Sequence, residues 1–303
     1  MAAFRRQPAA SATAARPLAS MLLMLATYAL FALLDSSAKY LGQWLSIGTI
    51  TFGRYLSGSV FALLAGRLLL GGRFWRTAHP RLQILRGVFL LGATFFNFMA
   101  VRYLQLAQSV AILFSAPLMV CMISPFALGE RVGWRRWAAV IVGFAGVLLV
   151  IRPGTETFHP AMFLSLAAAF TLASYQVLTR KVGARDNPYA SMIWATLTGL
   201  ALSVSLLPVA AEVPSPEWWP WLAFLGLAGT AGHLMLTEAH RRADASFLAP
   251  FAYTQMIWMV LIGWWWFGDV PDALTIIGAL IVAAASLFVF QREYRQMRKR
   301  AQA

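Results

Sequence analysis

Several polar and ionisable residues stand inside long apolar runs, and their types and spacing limit the chemistry open to the chain. The stretch FALLDSSAKY (31–40) places Asp35 and Lys39 four residues apart, on one face of a helix. Arg54 lies in the next apolar run, and Asn97 follows Phe95 and Phe96 in the third. Ser115 precedes Pro117, while Ser174, Tyr175 and Gln176 form a later cluster and Tyr253, Thr254 and Gln255 another. His233 and Glu238 close a run in which Gly226, Gly229 and Gly232 recur every third residue. Amides, phenols and hydroxyls can read the shape of a neutral or zwitterionic solute. A carboxylate, an ammonium and a guanidinium can pair, gate or hold charge. His233 is the group able to change charge near neutral pH, with Glu238 a second protonatable candidate. Covalent and metal chemistry are poorly served. The chain has no GxSxG, HExxH or P-loop, and Glu238 points away from the face that His233 and His240 share. His79 and His159 lie in other segments, so no metal, no cofactor and no enzymatic activity are expected.

The elements that carry these residues follow from composition. Of 303 residues 60% are hydrophobic and only 12% charged, against roughly a quarter charged in soluble domains. Mean hydropathy is +0.66. A helix needs about 20 apolar residues to cross the hydrocarbon core, and that ruler gives ten spans: 19–41, 47–70, 82–102, 105–127, 134–151, 159–181, 189–210, 218–240, 245–267 and 272–290. An all-α membrane protein is expected, embedded in the lipid bilayer with basic tails at 1–18 and 291–303. The first run is too long, and has too many successors, to be a cleaved signal. Cys121 is alone, which excludes a disulfide framework.

The net charge of +14 does not mark a nucleic-acid binder, because the basic residues fall in short clusters between apolar spans. Lys39, Arg102 and Arg152 lie at one set of span ends and Arg54 within a span, leaving 21 of the 25 Lys and Arg on the N-terminal side. The positive-inside rule then places both termini in the cytoplasm. Most tryptophans, Trp218, Trp219, Trp221 and Trp264 to Trp266 among them, fall near span ends, as interfacial anchors do.

AILFSAPLMVCMISPFALGERVG (111–133) has a shadow at 250–272, PFAYTQMIWMVLIGWWWFGDVPD. An offset of 139 residues aligns Gly129-Glu130 with Gly268-Asp269 and Ala139 with Gly278. Two halves, 19–151 and 159–290, follow. Five is odd, so the second half enters the membrane from the opposite side, the architecture of alternating access.

An apolar helix with Pro117, then FALGERVG, then a Gly-rich helix ending LLVIRPG, resembles the EamA type of the drug/metabolite transporter superfamily over roughly 20 to 290. Gln255-Met256 stands where that family often has a second proline, and Asp269 where it usually has Glu. The resemblance is strongest to bacterial ten-helix carriers such as amino-acid exporters and S-adenosylmethionine uptake carriers. It implies a multi-pass protein of the bacterial inner membrane with a central cavity and a small-molecule substrate. The function expected is secondary transport of a small polar metabolite, an amino acid or related solute, by export. The alternatives are uptake or exchange of a nucleoside-like solute such as S-adenosylmethionine, or a channel.

The substrate contacts expected are Asn97, Ser115, Tyr175, Gln176, Tyr253 and Gln255. Asp35 lies six residues from the end of span 1, and Arg54 seven from the start of span 2. They share a depth, which predicts an ion pair acting as a gate beneath a vestibule reached by Lys39.

Overall fold

The computed structural model describes residues 17–71, 74–129, 132–182, 186–207, 213–243 and 245–302. Ten helical spans in it are long and apolar enough to cross a membrane, and the described residues contain no strand. Spans 1 to 3 are α1 (Pro17–Leu41), α2 (Ile47–Leu70) and α3 (Pro80–Tyr103). Span 4 is split into α4 (Leu106–Leu113) and α5 (Ala116–Leu128). Spans 5 to 8 are α6 (Trp134–Ile151), α7 (Met162–Val182), α8 (Pro188–Ser203) and α9 (Trp219–Arg242). Span 9 is split into α10 (Ala245–Ala252) and α11 (Thr254–Ile262) with a π turn after it, and span 10 is α12 (Ala273–Gln302). Ten crossings bring Pro17 and Gln302 to one face, the termini face. The other is the opposite face.

Local sequence sets these ends. The Ser46 hydroxyl caps α2 by accepting from the Thr49 amide, and Asn187 caps α8 by accepting from Tyr189. Pro80 and Pro188 sit in first turns, where a missing N–H costs nothing. Gly129 and Gly268 end spans 4 and 9 in the left-handed region, at φ 68 and 70. They are 139 residues apart, so one stop signal is used twice.

The same offset governs packing. Span 1 lies against span 8 as span 6 lies against span 3, while span 2 meets span 7 and span 5 meets span 10. Gly87 of span 3 faces Thr198 of span 7, where an added Cβ would stand 2.4 Å from the Thr198 Cβ. Its equivalent, Gly226 of span 8, faces span 2, where a Cβ would stand 2.0 Å from the Ser57 Oγ. Small residues let helices close without a hydrophobic driving force.

Both broken spans break at the same place. In span 4 the Ser115 amide turns back to the Ile112 carbonyl, and in span 9 the Tyr253 amide turns back to Pro250. Phe114 and Tyr253, again 139 apart, meet edge to face with ring centres 4.9 Å apart. Pro117 lies in the first turn of α5, just after the break in span 4. Span 9 reaches the same break without a proline at Met256, with Pro250 six residues before that equivalent position. Span 10 was expected over 272–290; its apolar part is Ala273–Arg292, and the helix continues past it to Gln302.

Candidate functional site

Three polar groups occupy the interior of the bundle. The first is built on span 3. Asp35 in span 1 accepts a 2.9 Å hydrogen bond from the Asn97 amide. Asn97 in turn accepts from Ser109 of α4, which lies 3.0 Å from the Ser165 hydroxyl of span 6. One turn away on span 3, Thr94 accepts from Arg54 at 2.9 Å and lies 3.2 Å from the Tyr55 hydroxyl. The expected Asp35–Arg54 ion pair is therefore not made. Both residues reach span 3 and are held by different side chains of it, because Asn97 and Thr94 are three residues apart.

The Arg54 guanidinium stacks 4.9 Å from the Tyr55 ring and 5.9 Å from Phe98, and its buried Nε has no hydrogen-bond partner. It lines a small chamber between spans 2, 3, 6, 7 and 8, together with Tyr175, Thr196, Thr230 and His233. Gly58, Gly226 and Gly229 supply bare backbone on its walls. A Cβ on Gly229 would stand 3.3 Å from the Arg54 Nη2, so that glycine makes room for the guanidinium. The free volume is about 20 Å³, enough for one water.

The third group joins span 3 to spans 6 and 7 near the termini face. Buried Arg86 donates to Tyr175 at 3.0 Å, to Thr179 at 2.9 Å, to the Ser191 carbonyl at 3.3 Å and to Gln83. Gln83 donates at 2.9 Å to Asp186, which also accepts from Thr77 and from the Ala78 amide at 2.7 Å. Burial pushes the Asp186 carboxyl up, but the Ala78 amide, Thr77 and Gln83 outweigh it and hold the group below its ordinary value.

The opposite face is shut by other means. Lys39 pairs with Asp269 at 3.3 Å, donates to the Leu104 carbonyl at 2.6 Å and stands 5.2 Å over the Phe267 ring. Arg152 pairs with Asp272 at 2.5 Å. Burial raises the Asp272 carboxyl, but Arg152 and the Thr275 amide bring it below its usual value. Tyr40, Trp218, Trp221 and Trp266 pack ring on ring across the two halves. The tryptophans expected as anchors thus divide, since Trp219, Trp264 and Trp265 stay exposed.

The expected contact residues are dispersed. Tyr175 and His233 share the chamber, and His233 also packs on Phe31 at 5.3 Å. The Ser115 hydroxyl is fully buried and spent on the Ile112 carbonyl of its own turn. Tyr253 packs on Phe114, and Gln255 is buried in α11. Gln176 is half-buried and lies outside the chamber lining. Glu238 pairs with Arg241 and Arg242 at 3.2 and 2.7 Å, outside the chamber lining. Lys39, expected to face an open vestibule, is instead tied into the closure. Of the third group only Tyr175 was expected; Arg86, Gln83, Thr179 and Asp186 were missed, because basic residues near span ends read as part of the charged loops. Pro80 was the available signal, for a helix starting there carries Gln83 and Arg86 inward by one and two turns.

Ten apolar helical spans, in two like halves around interior polar groups, make an all-helical membrane protein. Sequence comparison names the group. The model of the EamA-like transporter family matches residues 18–152 and again 159–291, and the chain belongs to that family. It is 29% identical over 270 residues to an S-adenosylmethionine uptake transporter of Rickettsia bellii, covering 88% of this chain and 91% of the relative. It is 28% identical over 288 residues to a riboflavin transporter of Vibrio cholerae, covering 93% and 96%. A pseudopaline exporter of Pseudomonas aeruginosa is 26% identical over 271 residues, covering 88% and 94%. One crystal structure shares the fold, with a TM-score of 0.60 at 20% identity over 93% of this chain and 98% of its own. The chain is a multi-pass protein of the bacterial inner membrane, and not an enzyme.

Proposed function

We propose that this transporter is a secondary carrier that moves a small polar metabolite by alternating access, with both termini in the cytoplasm. The observation that carries the reading is the unequal closure of the two faces. On the opposite face α4 packs on α11, and Lys39, Asp269 and the aromatic cluster cover the junction. Toward the termini face the two half-helices diverge, α5 leaning on span 6 and α10 on span 1, while span 3 stays joined to spans 6 and 7. Broken spans that meet at one end and diverge at the other fit one state of a two-state cycle. With 21 of 25 basic residues on the N-terminal side, the positive-inside rule makes that state open to the cytoplasm.

Asp35 has lost its expected partner and becomes a contact for a cationic group on the cargo, with Asn97 holding one of its oxygens. A cation-bearing metabolite agrees with two directions of transport. Export of an amino acid or a related solute is one. Uptake or exchange of a nucleoside-like solute is the other, and the likeness to S-adenosylmethionine uptake transporters favours it. Proteoliposomes preloaded with unlabelled S-adenosylmethionine, or with a mixture of amino acids, should accumulate the matching labelled solute against its gradient, and the rate should saturate. Flux that rises linearly with concentration and shows no counterflow would mean a channel.

A further inference from the structure

We infer that the Arg54 chamber is an anion subsite that takes the carboxylate of the cargo, which deepens the carrier reading and rests on it. A guanidinium this far into a bilayer costs roughly 2.5–3.5 kcal/mol even on the lenient insertion scale, so an arginine persists there only with partners. Arg54 has few of them. Thr94 takes one N–H, two aromatic faces take the charge, and the buried Nε is left without an acceptor. Among the described residues no carboxylate lies within ion-pair distance of it. Asp35 acts on it electrostatically but gives its hydrogen bond to Asn97.

The rest of the lining points the same way. Tyr175 presents a phenol already polarised by Arg86, and His233 an imidazole, while no acidic side chain lines the chamber. The lining is therefore rich in donors and holds no anionic group to meet the guanidinium. A carboxylate supplies two acceptor oxygens and one negative charge, the complement of an orphaned N–H beside a guanidinium. The 20 Å³ now free admits one water, so the cargo enters by a terminal group and the glycine-walled spans 2 and 8 move apart around it. Arg54 would bind this group directly. Thr94 would act as a positioning residue, because it fixes the guanidinium without reaching the cargo.

The test uses the full chain purified in detergent and paired solutes differing at one group. Suitable pairs are S-adenosylmethionine with its decarboxylated form, L-phenylalanine and L-methionine with their amides, and succinamate with succinamide. Binding is read as a shift in thermal unfolding with concentration. Solutes that stabilise the protein should carry a free carboxylate, and the partner lacking it should bind about tenfold more weakly or worse. Arg54→Gln should erase that preference. Arg54→Lys, which keeps charge but not the planar fork, should keep part of it. Should Arg54→Gln fail to fold, Thr94→Val leaves the guanidinium in place and should blunt the preference. Equal stabilisation by both members of a pair, unchanged preference in the Arg54 variants, or no stabilisation by any carboxylate would overturn the subsite. Counterflow of an uncharged solute would then leave the carrier standing. Carboxylate binding without counterflow would do the reverse.

Discussion

The two faces of the bundle tie the same two halves together with different chemistry. The opposite face uses ion pairs at the rim, Lys39 with Asp269 and Arg152 with Asp272, over a cluster of aromatic rings. These charges keep some contact with water. The termini side uses Arg86, Gln83 and Asp186, a connected network in which Gln83 and Arg86 are almost wholly buried. A rim pair can separate because each partner is rehydrated as it leaves. A buried network cannot, since each group pulled out leaves others unsatisfied in a low-dielectric interior. In the proposed cycle the rim is the closure that opens, and the network is a fixed joint between span 3 and spans 6 and 7.

That contrast breaks first at Arg86. Arg86→Gln removes the donor shared by Tyr175, Thr179 and the Ser191 carbonyl, and each acceptor left unsatisfied costs about 1–3 kcal/mol. A loss of about 3 kcal/mol or more is expected, read as a marked drop in thermal unfolding temperature in detergent with binding-independent onset. If Arg86→Gln melts with the wild type, the network is not a joint and the comparison fails.

A smaller effect is expected at Asp186, and pH sharpens it. Its folded value is held below the ordinary one, so its stabilisation is complete above about pH 4 and is lost as pH falls through the lowered folded value. Between pH 8 and 5 the melting temperature should not move on this account. Below about pH 4 it should fall, and Asp186→Asn should start lower and lose that acid limb. An unchanged acid limb in Asp186→Asn would assign the sensitivity to other carboxylates.

Much of the frame was legible in the sequence because membrane spans obey length and composition alone. The 139-residue offset was legible too, and it reappears as paired glycine stops at 129 and 268 and as paired breaks at Phe114 and Tyr253. The contacts of the polar residues were not. Depth along a helix can be counted from its end, but the face a side chain takes depends on helix rotation, which packing sets. Asp35 and Arg54 do share a depth, yet Asn97 and Thr94 intercept them. Ser115 looked free beside Pro117, but a serine at a helix break satisfies its own turn first. Lys39 looked solvent-facing because Asp269 is 230 positions away in the chain, and no local pattern announces such a pair.

The rim closure carries the smallest stability effect and the most functional one. The Lys39 and Asp269 side chains are 13% and 24% exposed, and pairs of this kind contribute about 1 kcal/mol or less. Lys39→Met and Asp269→Asn should therefore leave thermal unfolding nearly unchanged. In the proposed cycle the pair forms in one state only, so a contribution of that size would still shift a balanced two-state equilibrium by several-fold. In a Cys121→Ala background, Ala32→Cys places a thiol in the buried cluster that joins spans 1, 3, 4 and 9, with Phe267 packed against it. An impermeant thiol reagent added to whole cells should label it several-fold faster in either variant than in the parent. The double variant should label no faster than the single ones, since the pair is broken once. Reversing the charges, Lys39→Asp with Asp269→Lys, should recover part of the protection but not all of it, because the bond from Lys39 to the Leu104 carbonyl is not restored. Equal labelling in parent and variants would show that the aromatic cluster closes this face alone, and the ion pair would then be incidental to the cycle.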